Sequence, residues 1–225
     1  MSSHIAIIPA RKGTKGLPKK NRMFFDETAK FISNMPWFTR TIVTSDDEKI
    51  LEKAQTWEFE SVRRPHIFAK SDSSIRSTFE HLFSVHNFSP DDILWLFYLP
   101  IVYKDPKDFE AARLLIEYEN CNTVIGMQPA SCHPFSCWEI DHNGTMRQFI
   151  KNDVYRRQDL SEAWTYHHYI CSFRFRVFNS LNSELIGPET HPFQLPEKTL
   201  SNLIEIDTPA DLERWNKLMN TPSRS

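Results

Sequence analysis

Short, continuously apolar runs alternate with segments of helical spacing from residue 5 to about residue 127, and that beat admits few folds. Ile5-Ala6-Ile7-Ile8 ends at Pro9 and predicts a buried strand. Thr41-Ile42-Val43-Thr44 is a second β-branched run. Ser45, with Glu48 three residues later, predicts a capping box that opens a helix over about 46–57. Residues 75–86 carry apolar groups at helical spacing. Ile93 to Leu99 is apolar throughout and too short for most helices, so it predicts a fully buried strand. A helix over 106–118, with Pro106 in its first turn, and a strand over Thr123 to Met127 complete the series. The pattern predicts an α/β fold, a Rossmann-like, mostly parallel sheet with helices on both faces. Ligands of such sheets bind beyond the carboxyl ends of the strands, which singles out the loops after Ile8, Thr44 and Leu99.

From about 128 to 190 the beat fails. Pro, His, Trp and Phe accumulate, a turn falls at Asp141-His142-Asn143-Gly144, and alternation at 138–140 and 169–175 suggests β-ribbons, read as a projecting arm. Thr208 is a good N-cap for a last helix to about Met219, with Pro209 at its first position and Asp211 in the first turn. The tail from Asn220 is expected to fray. At 225 residues the chain is read as a single domain, 1–225.

Composition narrows the function. Lys+Arg 27 against Asp+Glu 29 gives −2, so no global field holds nucleic acid or an anionic membrane. No run approaches the ~20 apolar residues of a membrane helix, and the five-residue apolar run near the start is too short for a signal peptide. Cys121, Cys132, Cys137 and Cys171 form no C-x-x-C pair and read as buried free thiols rather than zinc ligands, in a reducing, cytoplasmic compartment. His133, with no second ligand at zinc spacing, reads as a loop histidine.

Three features bear chemistry. Arg11 to Arg22 holds six basic residues in twelve, none acidic, and two of the chain's five glycines. A glycine-bearing loop after a first strand can aim backbone N–H groups at phosphate while Lys and Arg neutralise it. The alternatives are a solvated basic loop or a nucleic-acid arm. In Ile204-Glu205-Ile206-Asp207, strand alternation would put both carboxylates on one face, where they could hold Mg²⁺ or merely face solvent. Arg156-Arg157 offers forked donors suited to a carboxylate, or is a pair of surface arginines.

These residues carry a resemblance. Ile7 to Asn21 resembles the opening motif of the acylneuraminate cytidylyltransferase family, the CMP-sialic acid synthetases and relatives. Val43 to Glu48, Arg64-Pro65 with Ala69 to Ser74, Arg156 to Leu160, and Ile204 to Leu212 resemble later motifs in the same order. The resemblance implies attack by the anomeric hydroxyl of a 2-keto sugar acid on the α-phosphate of CTP, giving a CMP-sugar and pyrophosphate. It assigns Arg11, Thr14, Lys15 and Lys20 to the triphosphate, and Asn21, Arg64 and Ser74 to the cytidine part. Asp207, helped by Glu205, would bind Mg²⁺, with Arg11, Lys20 and Asp207 as the catalytic set. Arg157 would clamp the sugar carboxylate, with Gln158 beside it. Residues 128–190 would form a dimerisation arm that reaches the partner's sugar site, so a homodimer is implied.

The departures from the family pattern cluster on the acceptor side. Lys12 replaces a small residue, and the chain is shorter between Asn21 and Val43. Leu96 to Lys104 and Thr165 to Tyr169 replace family segments where the sugar should sit. Nucleotide specificity is therefore expected to be kept and the acceptor to differ, with Tyr98, Tyr103, His167 and His168 shaping the altered pocket. The competing readings are a catalytically eroded nucleotide-sugar-binding paralogue and nucleic-acid binding through 11–22.

Overall fold

The computed structural model describes residues 2–13, 16–118 and 121–220, with Arg157 described by its backbone only. Seven strands form the main sheet: β1 (His4–Ala10), β2 (Phe38–Ser45), β3 (Glu60–Arg63), β4 (Ile93–Leu96), β5 (Thr123–Pro129), β8 (Trp164–Arg174) and β9 (His191–Gln194). Their order is β3-β2-β1-β4-β8-β5-β9. Only β8 runs antiparallel to its neighbours, β4 and β5; the other pairings are parallel. The helices are α1 (Lys20–Ser33), α2 (Glu48–Thr56), α3 (Ile75–Val85), α4 (Pro106–Tyr118), α5 (Glu197–Asn202) and α6 (Pro209–Asn220). A two-stranded ribbon, β6 (Trp138–Ile140) with β7 (Met146–Gln148), lies outside the sheet. Among the described residues no helix is long and apolar enough to cross a membrane.

β1 shows why the sheet is covered on both faces. Ile5 and Ile7 pack with Ile75, Phe79 and Leu82 of α3 on one side. Ala6 and Ile8 pack with Phe25 and Ala29 of α1, Ile50 of α2 and Phe109 of α4 on the other. Side chains alternate across a strand, so a run with no polar gap needs apolar cover on each side. Ile5, Ile7 and Ile8 are fully buried, and burying a side chain of this size stabilises by roughly 1.5–3 kcal/mol. Phenylalanines finish both layers. Phe83 meets Phe175 and Phe178 edge-on, with centroids 4.8 and 4.6 Å apart, while Phe97 stacks on Phe109 at 5.4 Å.

Several expectations are corrected. The basic stretch does not remain a loop: α1 starts at Lys20 and buries Phe24, Phe25, Ala29 and Ile32 on one stripe. Asp47, not Ser45, caps α2, accepting from the Lys49 N–H. Ser45 instead accepts from the Asp47 N–H and donates to the Ala10 carbonyl, which ties β2 to β1. The run from Ile93 is hydrogen-bonded strand only to Leu96, although Phe97 and Leu99 stay buried. The arm is shorter than 128–190: Trp164–Arg174 belongs to the main sheet, so the excursion spans 130–163, between β5 and β8. Ile204 to Asp207 is not a strand; Glu205 forms one isolated bridge, to Ile101. The last helix follows its signals. Asp211 N–H donates to Thr208 Oγ1 at 3.2 Å, and the Asp211 carboxylate accepts from the Thr208 N–H at 2.9 Å, a reciprocal cap.

Candidate active site

A cleft of about 220 Å³ opens beyond the carboxyl ends of β1, β3 and β4. Arg11 and Asn21 come from the first crossover, Arg64 follows β3, and Tyr98 and Pro100 follow β4. Glu205 lines the cleft from the far end of the chain. Four cationic side chains, Arg11, Lys20, Arg64 and Lys70, line it against the single carboxylate of Glu205. Such a balance suits a polyanion.

The turn after β1 is held from three sides. Asn21 is buried and donates from Nδ2 to the Arg11 carbonyl at 2.9 Å. The Lys12 N–H donates to Asp46 Oδ1 at 2.6 Å. Arg22 makes a two-pronged pair with Asp47, at 2.7 and 2.8 Å, and holds that carboxyl below the usual range against its burial. Gly16 lies so close to the Asp207 backbone that a Cβ there would overlap its carbonyl oxygen. Glycine is therefore required by a close approach of two backbones.

Arg64 is 5% exposed. Its Nη1 donates to Thr78 Oγ1 at 2.8 Å, while buried Nε and Nη2 have no partner. Burial, with the nearby Arg11 charge adding to it, pushes the guanidinium down to about 10; it stays charged at neutral pH. A buried cation with two unused donors costs the fold stability, and Arg64 is one of the residues that line the cleft. Ser74 caps α3 through the Ser77 N–H at 3.1 Å and lines the same cleft.

Lys20 sits in the first turn of α1, where the helix dipole disfavours a cation. Its ammonium contacts the Asp207 carboxylate. Glu205 is pushed up, by withdrawal of its carboxyl from water and then by the Asp207 charge. Glu205 and the Asp207 carboxylate near it offer hard oxygen donors of the kind Mg²⁺ takes, an ion that accepts one or two protein carboxylates and completes its shell with water and phosphate oxygens. Among the described residues no group of three His, Cys, Asp or Glu gathers as a self-sufficient metal site.

The expected acceptor residues are dispersed. Tyr98 lines the cleft and meets His168 edge-on at 5.3 Å; burial pushes its hydroxyl well above the ordinary range. His168 Nε2 donates to the Glu184 carbonyl at 3.0 Å. His167 is pushed down to about 4 by burial and by His168, and its Nδ1 accepts from the Tyr169 N–H at 3.0 Å. Tyr103 does not line the cleft; it stacks on Tyr169 with centroids 6.4 Å apart. Gln158 lies exposed on the arm, away from the cleft lining. Thr14, Lys15 and the Arg157 side chain lie outside the described residues. Sequence reasoning missed Phe68, Lys70, Ser71, Ser73 and Thr78 as cleft residues. The stretch Ala69 to Ser74 was in view as a motif, but only the helix start at Ile75 explains why so many of its short side chains converge.

No protein-family model matches the chain, and no curated protein matches it in sequence. Solved structures do match its fold. CMP:2-keto-3-deoxy-manno-octonic acid synthetase complexed with CTP aligns with TM-score 0.64 at 15% identity, over 97% of this chain and 98% of that one. The 4-diphosphocytidyl-2C-methyl-D-erythritol synthase of Anaerococcus prevotii aligns with TM-score 0.60 at 14% identity, over 98% and 99%. Another synthase of that name aligns with TM-score 0.63 at 12% identity, over 98% and 99%. The chain thus shares the α/β, Rossmann-like fold of these synthetases.

Proposed function

We propose that this chain is a Mg²⁺-dependent cytidylyltransferase that moves CMP from CTP to the anomeric hydroxyl of a sialic-like 2-keto sugar acid and releases pyrophosphate. The observation that carries the reading is that Arg11 and Lys20, from the first crossover, line one cleft with Glu205, from the far end of the chain, while the Lys20 ammonium contacts Asp207. The likeness to a synthetase whose substrate is itself a 2-keto sugar acid supports the acceptor class. Of the readings raised by sequence, nucleic-acid binding through 11–22 loses support because Lys20–Arg22 are built into α1 and Arg22 is spent on Asp47.

The residues divide the work. Arg11 and Lys20 neutralise the triphosphate and orient it for in-line attack, which demands positioning more than covalent chemistry. Arg64 presents Nε and Nη2 to the base. Cytosine offers two adjacent acceptors there, whereas uracil turns a donor inward, so the fork favours CTP over UTP. Asn21 holds the turn that carries Arg11, and Ser74 and Thr78 hold the base end. Asp207 and Glu205 would hold Mg²⁺, which when bound supplies charge neutralisation at the phosphates and a lowered pKa for the attacking hydroxyl. Tyr98 and His168 flank the side from which the acceptor enters. Arg157 and Gln158, carried on the arm, would serve the sugar carboxylate of a second copy's site in a cytoplasmic homodimer.

The test is pyrophosphate release with purified protein, CTP, Mg²⁺ and a panel of eight- and nine-carbon 2-keto sugar acids. Release is expected only when all three components are present. CTP binding without turnover across the panel would replace the proposal with an eroded nucleotide-sugar binder, and no CTP binding would end both.

A further inference from the structure

Cys132 and Cys137 stand at the base of the arm with their sulfurs 3.7 Å apart. The contact is built by the local chain. Pro134–Ser136 makes one tight 3₁₀ turn, and the His133 ring caps it, Nδ1 accepting from the Phe135 N–H at 3.1 Å. The turn folds residue 137 back over residue 132, and both thiols approach the His133 carbonyl at 3.6 Å. The expectation of four buried thiols holds for Cys121 and Cys171, which lie in the core, but not for Cys132, which the turn leaves exposed, or Cys137, which is half-buried. A disulfide needs the sulfurs at about 2.05 Å, within reach of side-chain rotation from this separation.

The turn is also tied to the segment that leads to the arginine pair. The Phe149 N–H donates to the Cys137 carbonyl at 3.1 Å, and Asn152 Nδ2 donates to the Phe135 carbonyl at 3.0 Å. Cys132, His133 and Ser136 form one wall of a groove of about 510 Å³, whose other wall includes Tyr155 and Arg156.

We propose that Cys132 and Cys137 are a reversible thiol–disulfide site that locks this turn, and with it the 149–156 segment of the arm. The oxidant is a small-molecule disulfide such as oxidised glutathione. The exposed Cys132 thiolate attacks one of its sulfurs and expels one glutathione thiolate. Cys137 then attacks the Cys132 sulfur and expels the second. One S–S bond breaks and one forms on the protein, and two glutathione thiols carry away the electron pair with the two protons. The site is independent of the nucleotide cleft.

The experiment treats the full chain with oxidised glutathione, alkylates the remaining thiols, and maps the products by mass spectrometry. The expected result is the loss of two titratable thiols per chain, a linked 132–137 peptide lighter by two hydrogens, and recovery of both thiols with dithiothreitol. Cys132→Ser and Cys137→Ser should each carry a stable glutathione adduct on the remaining cysteine of the pair. Hydrogen exchange of residues 149–156 should slow in the oxidised wild type and not in either variant. A wild type that accumulates the adduct on Cys132, or links between chains, overturns the site. A disulfide with unchanged exchange in 149–156 overturns the lock.

Discussion

The ammonium of Lys20 and the carboxylate of Asp207 touch across 187 positions of sequence. Lys20 is nearly covered, with 13% of its side chain exposed, while Asp207 is 56% exposed. The contact neutralises, in the ligand-free chain, the cation assigned to phosphate and the anion assigned to metal. Because the pair opens to water, its own contribution to stability is small, about 0–1 kcal/mol. Asp207→Asn and Lys20→Met are therefore expected to shift thermal melting little while lowering pyrophosphate release by about 10²–10³-fold, the range for removing one preorganised electrostatic group. Retained turnover in Asp207→Asn would remove this carboxylate from the chemistry.

Arg64 sets stability against ligand recognition. With Nε and Nη2 buried and unpartnered, replacement by methionine of similar reach removes a group whose desolvation costs about 1–3 kcal/mol. Arg64→Met should melt no lower than wild type, yet lose CTP affinity and its preference over UTP, read by calorimetry with each nucleotide. A large drop in melting temperature with CTP binding intact would reverse the assignment.

Lys104 gives a pH signature. Its amino group donates to the Ile101 carbonyl and to Thr28 Oγ1, and burial pushes it down to about 7. An unfolded chain keeps this proton up to its ordinary value of 10.5. Between the two values the unfolded state binds more protons, so stability rises with pH and is lost as pH falls toward 7. The slope from this one group is at most about 1.4 kcal/mol per pH unit. Denaturant melts at pH 7, 8 and 9 should show Lys104→Met more stable than wild type at pH 7, with the gap closing as pH rises. A constant gap would mean that the amino group is not withdrawn from water.

The arm presents Ile140, Met146, Phe149 and Tyr155 to solvent, the last 96% exposed. Ile140 and Met146 lie on the two-stranded ribbon and Phe149 and Tyr155 just after it, and these apolar groups would form the association surface of the homodimer proposed above. Ile140→Asp with Met146→Asp should convert a dimer to a monomer in sedimentation analysis. Turnover should fall with it, since Arg157 and Gln158 would lose the site they serve, while CTP binding survives. A monomeric wild type would sink the homodimer.

How far the sequence was legible follows from where each element finds its partners. β1, β2, β4 and β5 were readable because strands buried on both faces leave unbroken apolar runs. α1 was hidden because its first turn is the basic Lys20-Asn21-Arg22, so charge masked the apolar stripe that starts at Phe24. β3 and β9 are four-residue edge strands, Glu-Ser-Val-Arg and His-Pro-Phe-Gln, with too little alternation to register. The Ser45 cap failed because Asp47 lies nearer the helix and Ser45 is drawn to Ala10. Arg11, Lys20, Arg64 and Glu205 stood out through their motifs, and all four line one cleft. Lys70 and Thr78 did not stand out, since a lysine in a polar stretch and a threonine in a helix look the same whether or not a cleft lies beside them. Tyr103 was assigned by its place in a replaced motif, but the chain after β4 turns its ring toward Tyr169 instead.

The one antiparallel strand described in the main sheet, β8, decides how the molecule can change. β5 leaves the sheet at Pro129 and β8 re-enters at Trp164, and these two residues are register partners. Everything between them is a cassette whose two ends are clasped by one strand pair. Its length and chemistry can be exchanged without disturbing the order of the strands, so the segment that the proposed function gives to the acceptor can vary while the β1–β4 half stays as it is.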